Sequence, residues 1–237
     1  MSKVFKFGGA SVKNPKAIYN LKKIVSSCKE NLVIVISAID KTTNKLELVW
    51  KNYLENKTLK STEIAKEIIK FHKAIIEDLK LNNNSDFLKL FNDLTLELVD
   101  YIGAKTKQEN NISYSKIVSF GELFSTIIIS SYLNKEGVEN QWIDAREFIK
   151  TSKSATDSSV NWKETKRKIN SNLSKNKSYL TQGFIGSNLN GETTTLGREG
   201  SDFSAAIFAW SMDVEEVIIW KDVDGLLNAD PKWFDKT

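Results

Sequence analysis

The sequence predicts an α/β sandwich of three layers, in which helices cover both faces of a mainly parallel central sheet. Two observations lead to this fold class. Short apolar runs such as Leu32–Ile36 and Glu216–Trp220 are nearly free of polar residues, as strands of a parallel sheet are when helices cover both of their faces. Between these runs lie long stretches in which apolar residues recur every three or four positions, the spacing of a buried helix face.

The first part of the chain is predicted to form a strand, a glycine turn, a helix, a second strand and then a long helical excursion. Residues 4–7 form the first strand, which ends at a glycine pair, and Pro15 suits the first turn of a helix that follows over residues 15–28. After the strand Leu32–Ile36, the helical pattern continues from about residue 45 to residue 107. The chain contains only two prolines, so long helices can run without interruption there.

The second part of the chain alternates between helices and short strands. The pattern predicts a helix over residues 119–135, strands at residues 141–143 and 179–181, and a helix over residues 201–212. A last strand, Glu216–Trp220, follows that helix. Alternation of this kind is typical of a parallel sheet whose strands are connected by helices.

The composition is that of an ordinary globular protein, with 41% hydrophobic and 27% charged residues in 237, and we expect one domain over residues 1–237. The net charge of +4 is spread along the chain, which argues against a nucleic-acid partner. One cysteine, no signal-peptide pattern and no apolar run of roughly 20 residues predict a cytoplasmic protein without a membrane span. No His/Cys cluster has the spacing of zinc ligands, so no metal-ligating residues are predicted.

Three glycine-containing junctions follow predicted strands, and ligands of open α/β sheets bind at the carboxyl ends of strands. In the first junction, Lys6 lies two residues before the pair Gly8-Gly9. Adjacent glycines let backbone N–H groups approach a phosphate, and the lysine can reach a transferring phosphoryl group. A glycine pair after a strand is also an ordinary tight turn, so this segment alone leaves both interpretations open.

The second junction runs from Gly183 to Asp202 and combines glycines, three consecutive threonines, Arg198 and an aspartate at a predicted helix start. Helix starts bind anions, and arginine binds carboxylates or phosphates through two hydrogen bonds. Ser201 or Asp202 could simply cap the helix, but capping explains neither Arg198 nor the glycines. The third junction, residues 220–232, carries acidic residues that fit either a turn or a nucleotide pocket.

Taken together and in order, these segments resemble the aspartokinases of the amino-acid kinase family. Residues 6–12 are similar to the KFGGTSV opening of that family, and Gly121-Glu122 matches its GE motif. Residues 181–202 are similar to its TQGFIG…TTTLGRGGSD signature, and residues 220–232 to its TDVDG…ADPR segment. The resemblance implies the amino-acid kinase (carbamate kinase-like) fold. It also implies transfer of the γ-phosphoryl group of ATP to the β-carboxylate of L-aspartate, which yields 4-phospho-L-aspartate and ADP. That reaction is the first step of lysine, threonine and other aspartate-family amino-acid biosynthesis.

The resemblance also implies a role for each matching residue. Lys6 and Asp202 are expected to be catalytic: Lys6 neutralises charge on the transferring phosphoryl group, and Asp202 orients Lys6 or orders the metal–phosphate assembly. The residues expected to bind aspartate are Thr43, Glu122, Arg198 and Ser201. The residues expected to bind the nucleotide are Lys6, Gly8, Gly9, Ser11, Lys221, Asp222, Leu227 and Lys232. Mg²⁺ would bridge the β- and γ-phosphates of ATP.

The chain departs from the family pattern at several positions. Lys41 replaces a usual glycine, Glu199 stands where a second glycine is usual, Lys221 and Lys232 replace a threonine and an arginine, and Leu227 stands where a tyrosine often contacts the nucleotide. Aspartokinases also usually continue past the ADP[RK] segment into two regulatory ACT domains. We therefore expect a kinase domain that is incomplete at its C-terminal end and lacks ACT domains. The family often dimerises, and the sequence leaves a homo-oligomer open.

Two alternatives to an aspartate kinase remain at this point. The same fold could phosphorylate another acceptor, such as glutamate, a nucleoside monophosphate or carbamate. Glu122 and Arg198 argue against a nucleotide acceptor, because together they suit the ammonium and carboxylate of an amino acid. The chain could also be a catalytically weak member that binds ligand without turnover, which the charge of Glu199 and the altered loop at Lys41 would favour.

Overall fold

The computed structural model describes residues 3–104, 109–152, 156, 158–221 and 233. The strands in this part of the chain are β1 (Lys3–Phe7), β2 (Leu32–Ile36), β3 (Gln141–Ile143), β4 (Tyr179–Gln182), β5 (Ile185–Ser187), β6 (Thr193–Thr195) and β7 (Glu216–Trp220). Five of them form one sheet in the order β3-β4-β2-β1-β7, and every neighbouring pair is parallel. The strands β5 and β6 pair antiparallel with each other beside this sheet.

Helices cover both faces of the sheet. The helices in the described part are α1 (Pro15–Ser27), α2 (Thr42–Leu54), α3 (Thr58–Asp78), α4 (Ser85–Gly103), α5 (Asn110–Lys135), α6 (Ala145–Phe148), α7 (Trp162–Asn172) and α8 (Gly200–Ser211). Neighbouring residues of a strand point to opposite faces. In β1, Lys6 contacts Asp202 of α8, whereas Phe7 faces α1 across a small cavity. On the Phe7 face, Gln182 of β4 donates a hydrogen bond to Thr126 of α5. The three-layer fold with a parallel sheet, predicted from the sequence, is confirmed.

The helix α5 lies at the centre of the fold and is buried on all sides over most of its 26 residues. By length and composition it could cross a membrane, but 83% of its most hydrophobic stretch is buried inside the protein, so packing accounts for its hydropathy. The sequence predicted this helix only from Ser119. It begins at Asn110 instead, and residues 110–118 were missed because five of these nine residues are Asn, Ser or Lys and hide the apolar repeat of a helix.

The helices α2, α3 and α4 are the helical excursion that the sequence predicts, and they extend from Thr42 to Gly103. They pack on one another and, through α2 and α4, on α5. The break between α3 and α4 lies where four polar residues interrupt the apolar pattern, and the Asn84 side chain there accepts a hydrogen bond from the N–H of Phe87 at 3.0 Å. Such an N-cap satisfies a backbone donor that the first helix turn leaves unpaired.

His72 of α3 is fully buried and hydrogen-bonded to the carbonyl of Ile68 at 2.7 Å. Its Nε2 atom has no partner among the described residues, and the ring lies against Phe124 of α5 at a centroid distance of 5.2 Å. Burial lowers the pKa of His72 to about 4, because the imidazolium would lose its hydration without gaining a counter-charge.

We expect the stability of the protein to fall between pH 6.5 and pH 4 because of this histidine. The unfolded chain takes up a proton at its ordinary pKa near 6.5 and the folded chain does so only near 4, so the loss reaches about 3 kcal/mol at pH 4. Urea unfolding of the parent and of His72→Phe at several pH values measures this difference. The variant should be as stable as the parent at pH 7 within about 1 kcal/mol. Its free energy of unfolding should fall less than that of the parent between pH 6.5 and pH 4. Parallel pH curves for the two proteins would contradict the prediction.

Candidate active site

The carboxyl ends of β1 and β2 meet the start of α8 at a cleft of about 290 Å³. At its base, the ammonium group of Lys6 lies 2.5 Å from Oδ1 of Asp202. Lys6 is only 5% exposed, and burial of a lysine is tolerated when a carboxylate compensates its charge. Asp202 lies in the first turn of α8, where the helix dipole also favours a negative charge.

The second oxygen of Asp202 contacts another lysine. The ammonium group of Lys221, the residue that follows β7, lies 3.1 Å from Oδ2 of Asp202 and 3.6 Å from Oε2 of Glu199. Partial burial by itself would raise the pKa of the Asp202 carboxyl, but the hydrogen bonds from Lys6 and Lys221 outweigh burial and lower the pKa below its usual value. The hydrogen bond to Asp202 in turn raises the pKa of Lys221. Asp202 is therefore a fixed anion between two cations.

The glycine turn after β1 packs tightly against the loop after β2. A Cβ atom at Gly9 would lie 2.7 Å from the carbonyl oxygen of Ala38, so only glycine permits this approach. The N–H of Gly8 donates to the carbonyl of Trp220 at 3.3 Å, and the hydroxyl of Ser11 donates to the same oxygen at 3.1 Å. These two donors tie the turn to β7 in this structure.

Glu122 enters the cleft from the opposite layer, in the middle of α5. It is 3% exposed, and its Oε1 accepts a hydrogen bond from the N–H of Ala38 at 3.2 Å. The other carboxyl oxygen has no hydrogen-bond partner within the residues that the structure describes. Burial raises the pKa of Glu122 to about 8, although the bond from Ala38 acts in the opposite direction. A buried carboxyl group with one unsatisfied oxygen facing a cleft is suited to bind a cation.

The structure brings six of the thirteen predicted site residues together in one cleft. The predicted residues that line the cleft are Lys6, Gly9, Thr43, Glu122, Ser201 and Asp202. The hydroxyl of the neighbouring Thr42 donates a hydrogen bond to the carbonyl of Ile39. Of Thr42 and Thr43, only Thr43 lines the cleft. Gly183 allows Ser201 to come near, since a Cβ atom at Gly183 would lie 2.5 Å from the Ser201 hydroxyl.

Other predicted residues lie at the border of the cleft or outside it. Gly8 and Lys221 adjoin it through Lys6 and Asp202. Ser11 lies in the small cavity next to Phe7, on the other face of the sheet. Arg198 is exposed and does not line the cleft, although Gly197 and Glu199 on either side of it do. The predicted nucleotide residues Asp222, Leu227 and Lys232 lie outside the described residues.

Three cleft residues that the sequence did not mark as ligand-binding have unusual backbone conformations. Six non-glycine residues in the described part have positive φ, and Asp40 (φ 51°), Phe184 (φ 70°) and Glu199 (φ 55°) are among them and line the cleft. Such conformations are unfavourable for residues with a Cβ atom, and they gather at functional sites. No sequence signal indicates the positive φ of Asp40 and Phe184, because the usual signal is a glycine, whereas Glu199 stands where the related family usually has a glycine.

The chain is similar to known proteins along its whole length. The model of the amino acid kinase family matches residues 1–237. The chain is 30% identical to lysine-sensitive aspartokinase 3 of Escherichia coli over 239 residues, and this match covers 97% of the chain and 51% of that protein. It is 28% identical to bifunctional aspartokinase/homoserine dehydrogenase 2 of the same organism, covering 96% of the chain and 28% of that protein. The chain therefore spans about half or less of the length of these relatives.

A similar structure is known. The crystal structure of Escherichia coli aspartokinase III in complex with aspartate and ADP superimposes with a TM-score of 0.84 and 30% sequence identity. The match covers 98% of this chain and 52% of that one. At this level of similarity the two chains share their fold. The cleft of the present chain lies at the carboxyl ends of parallel strands, where ligands of open α/β sheets bind.

Proposed function

Since this chain belongs to the amino acid kinase family, we propose that it transfers the γ-phosphoryl group of ATP to the β-carboxylate of L-aspartate, giving 4-phospho-L-aspartate and ADP. One observation carries the proposal. A buried carboxyl group that is suited to an ammonium ion, Glu122, and a buried ammonium group that is suited to a phosphoryl group, Lys6, open into the same cleft. The aspartate and ADP named for the related Escherichia coli structure fit these two chemistries.

The phosphoryl end of the proposed reaction depends on Lys6 and Asp202. Phosphoryl transfer requires positioning and charge stabilisation more than covalent chemistry. Asp202 holds the Lys6 ammonium in a fixed direction, so that Lys6 neutralises the charge that builds on the transferring oxygens without having to reorganise. The attacking β-carboxylate is ionised at neutral pH, so the reaction needs no general base.

The aspartate end of the proposed site depends on Glu122. We propose that its carboxylate receives the α-ammonium group of aspartate, and that Thr43 and Ser201 hydrogen-bond the same substrate from the other walls of the cleft. Arg198 would bind the α-carboxylate through two hydrogen bonds. Because the Arg198 side chain is exposed and outside the cleft lining, this role requires it to swing inward when substrate binds.

Mg²⁺ fits the proposed site as a companion of ATP. Within the described residues, no group of three or more His, Cys, Asp or Glu side chains could hold a metal ion, and both oxygens of Asp202 contact ammonium groups. Mg²⁺ binds readily to substrate phosphates with only one or two protein carboxylates. We therefore propose that Mg²⁺ would enter with ATP and lower the charge of its phosphates, while Lys6, the glycine turn and the residues after β7 position the nucleotide.

The single cysteine suits a reducing compartment, so we propose that the reaction takes place in the cytoplasm.

Trapping of the acyl phosphate tests the proposed function. We expect the protein to form a hydroxamate from aspartate, ATP and hydroxylamine, with a clear preference for aspartate over glutamate. Asp202→Asn should lower the rate by about a hundredfold or more, because Lys6 loses its anchoring charge. Asp213→Asn is the matched control, since Asp213 pairs with Lys166 at 3.1 Å beyond the other end of α8. A folded parent protein that binds MgATP but forms no hydroxamate with any amino acid would refute the proposed activity.

A further inference from the structure

The mouth of the cleft carries an unbroken row of four alternating charges. Lys6 contacts one oxygen of Asp202, Lys221 contacts the other, and Glu199 contacts Lys221 from the solvent side. The exposure of the side chains rises along this row, from 6% for Lys6 to 66% for Glu199. Its two positive and two negative charges cancel.

The backbone fixes the positions of both Lys221 and Glu199, the outer two residues of this row. Trp220 is paired with Phe7 in the sheet, and Ile219 with Lys6. Lys221 follows the last residue of β7, and its ammonium group reaches Asp202 of α8, which also contacts Lys6. Glu199 immediately precedes α8 and has φ 55°, a conformation for which glycine is better suited. The Glu199 carboxylate therefore lies at the cleft although its backbone conformation is unfavourable for a residue with a Cβ atom.

An unpaired carboxylate at this position would hinder a nucleotide. Glu199 lines the same cleft as Lys6, so phosphates that bind beside Lys6 share this cleft with the Glu199 carboxylate. The carboxylate of Glu199 and the phosphates of ATP are both negative, so they repel each other within one cleft even when water partly screens their charges. The contact of 3.6 Å between Lys221 and Glu199 is too long and too exposed to contribute much to folding. The contact therefore matters for the net charge of the cleft rather than for the stability of the fold.

We propose that Lys221 and Glu199 form a compensating pair that sets the affinity for ATP. Lys221 cancels the charge of Glu199, and at the same time it provides a second cation beside Lys6 on Asp202. Lys221 is then needed because Glu199 is present, and losing both residues costs less affinity than losing Lys221 alone. The inference rests on the proposed function for the identity of the ligand, a nucleoside triphosphate.

A double-mutant cycle on MgATP binding tests the pair, with calorimetry as the readout and no aspartate present. Lys221→Thr should raise the Kd about tenfold and Glu199→Gln should lower it several-fold, since each leaves one charge uncompensated. The double variant should return to within about threefold of the parent, because it is again neutral at this point. The effect of Lys221→Thr should also shrink in 0.5 M salt, where charges are screened within roughly 4 Å.

The pair formed by Lys3 and Glu216, 3.0 Å apart at the other end of β1 and β7, provides the matched control. Lys3→Thr and Glu216→Gln should leave the Kd of MgATP unchanged within about twofold. A double variant that binds as weakly as Lys221→Thr would overturn the proposal, because removing the charge of Glu199 would then restore no affinity and that charge would not oppose the phosphates. Absence of MgATP binding by the parent would overturn it as well. Absence of hydroxamate with intact MgATP binding would refute only the proposed reaction.

Discussion

Replacing Lys6 by methionine is expected to lower kcat for aspartyl phosphate formation by about a thousandfold. The methionine retains most of the apolar length of lysine but lacks the charge that Asp202 directs into the cleft. Charge stabilisation of the transferring group is the main contribution that the protein makes in phosphoryl transfer, so its loss should appear in kcat more than in the KM for aspartate. The hydroxamate assay at saturating substrates measures this effect.

Lys3→Met is the control for Lys6→Met, because Lys3 begins the same strand and forms an exposed ion pair with Glu216. It should retain activity within about twofold. Lys6→Met should remain folded, because Lys221 still contacts the Asp202 carboxylate that the substitution leaves behind. Thermal unfolding of both variants verifies this. A folded Lys6→Met protein whose kcat is within tenfold of the parent would exclude Lys6 from the proposed mechanism.

Replacing Glu122 by glutamine should weaken aspartate binding by about a hundredfold and remove its pH dependence. In the unliganded protein, burial raises the pKa of Glu122 to about 8, so at pH 7 most molecules carry a neutral carboxyl group. Binding an ammonium group requires the ionised form, and one proton must leave. We therefore expect the KM of the parent for aspartate to fall about tenfold between pH 6.5 and pH 8.

The same substitution should make the unliganded protein more stable at alkaline pH. The folded-state pKa of Glu122 lies above its unfolded value, so its favourable contribution is complete below about pH 4.5 and is lost as the pH rises through 8. Glu122→Gln avoids the cost of a buried carboxylate, on the order of 5 kcal/mol above pH 8. Glu136→Gln, at the exposed end of α5 beside Lys22, is the control and should change neither property. A pH-independent KM in the parent, or a Glu122→Gln protein that is less stable at pH 9, would contradict this account.

The presence of the five sheet strands could be predicted from the sequence, because β2 and β7 are short, largely apolar runs and helical patterns separate the strands, but their order in the sheet could not. The burial of β2 on both faces follows from its five aliphatic residues, and the order strand, glycine turn, helix follows from Lys6, Gly8 and Pro15. Weak local signals were missed. The strands β5 and β6 have three residues each, too few for a pattern, and α7 carries little apolar periodicity because only Thr165 and Ile169 of its eleven residues are buried.

The sequence by itself determined the fold class, the glycine turn, and the presence of Lys6, Glu122 and Asp202, because those properties depend on local pattern and residue type. Only the tertiary structure decided how these residues meet. Glu122 on one face of the sheet and Asp202 on the other come within one cleft because α5 and α8 both reach the carboxyl edge of the strands. The contact of Lys221 with Asp202 and Glu199, and the outward position of Arg198, depend on distances between segments that are far apart or on the direction of a side chain. Burial, and with it the pKa of Glu122, arises only when all layers are packed together.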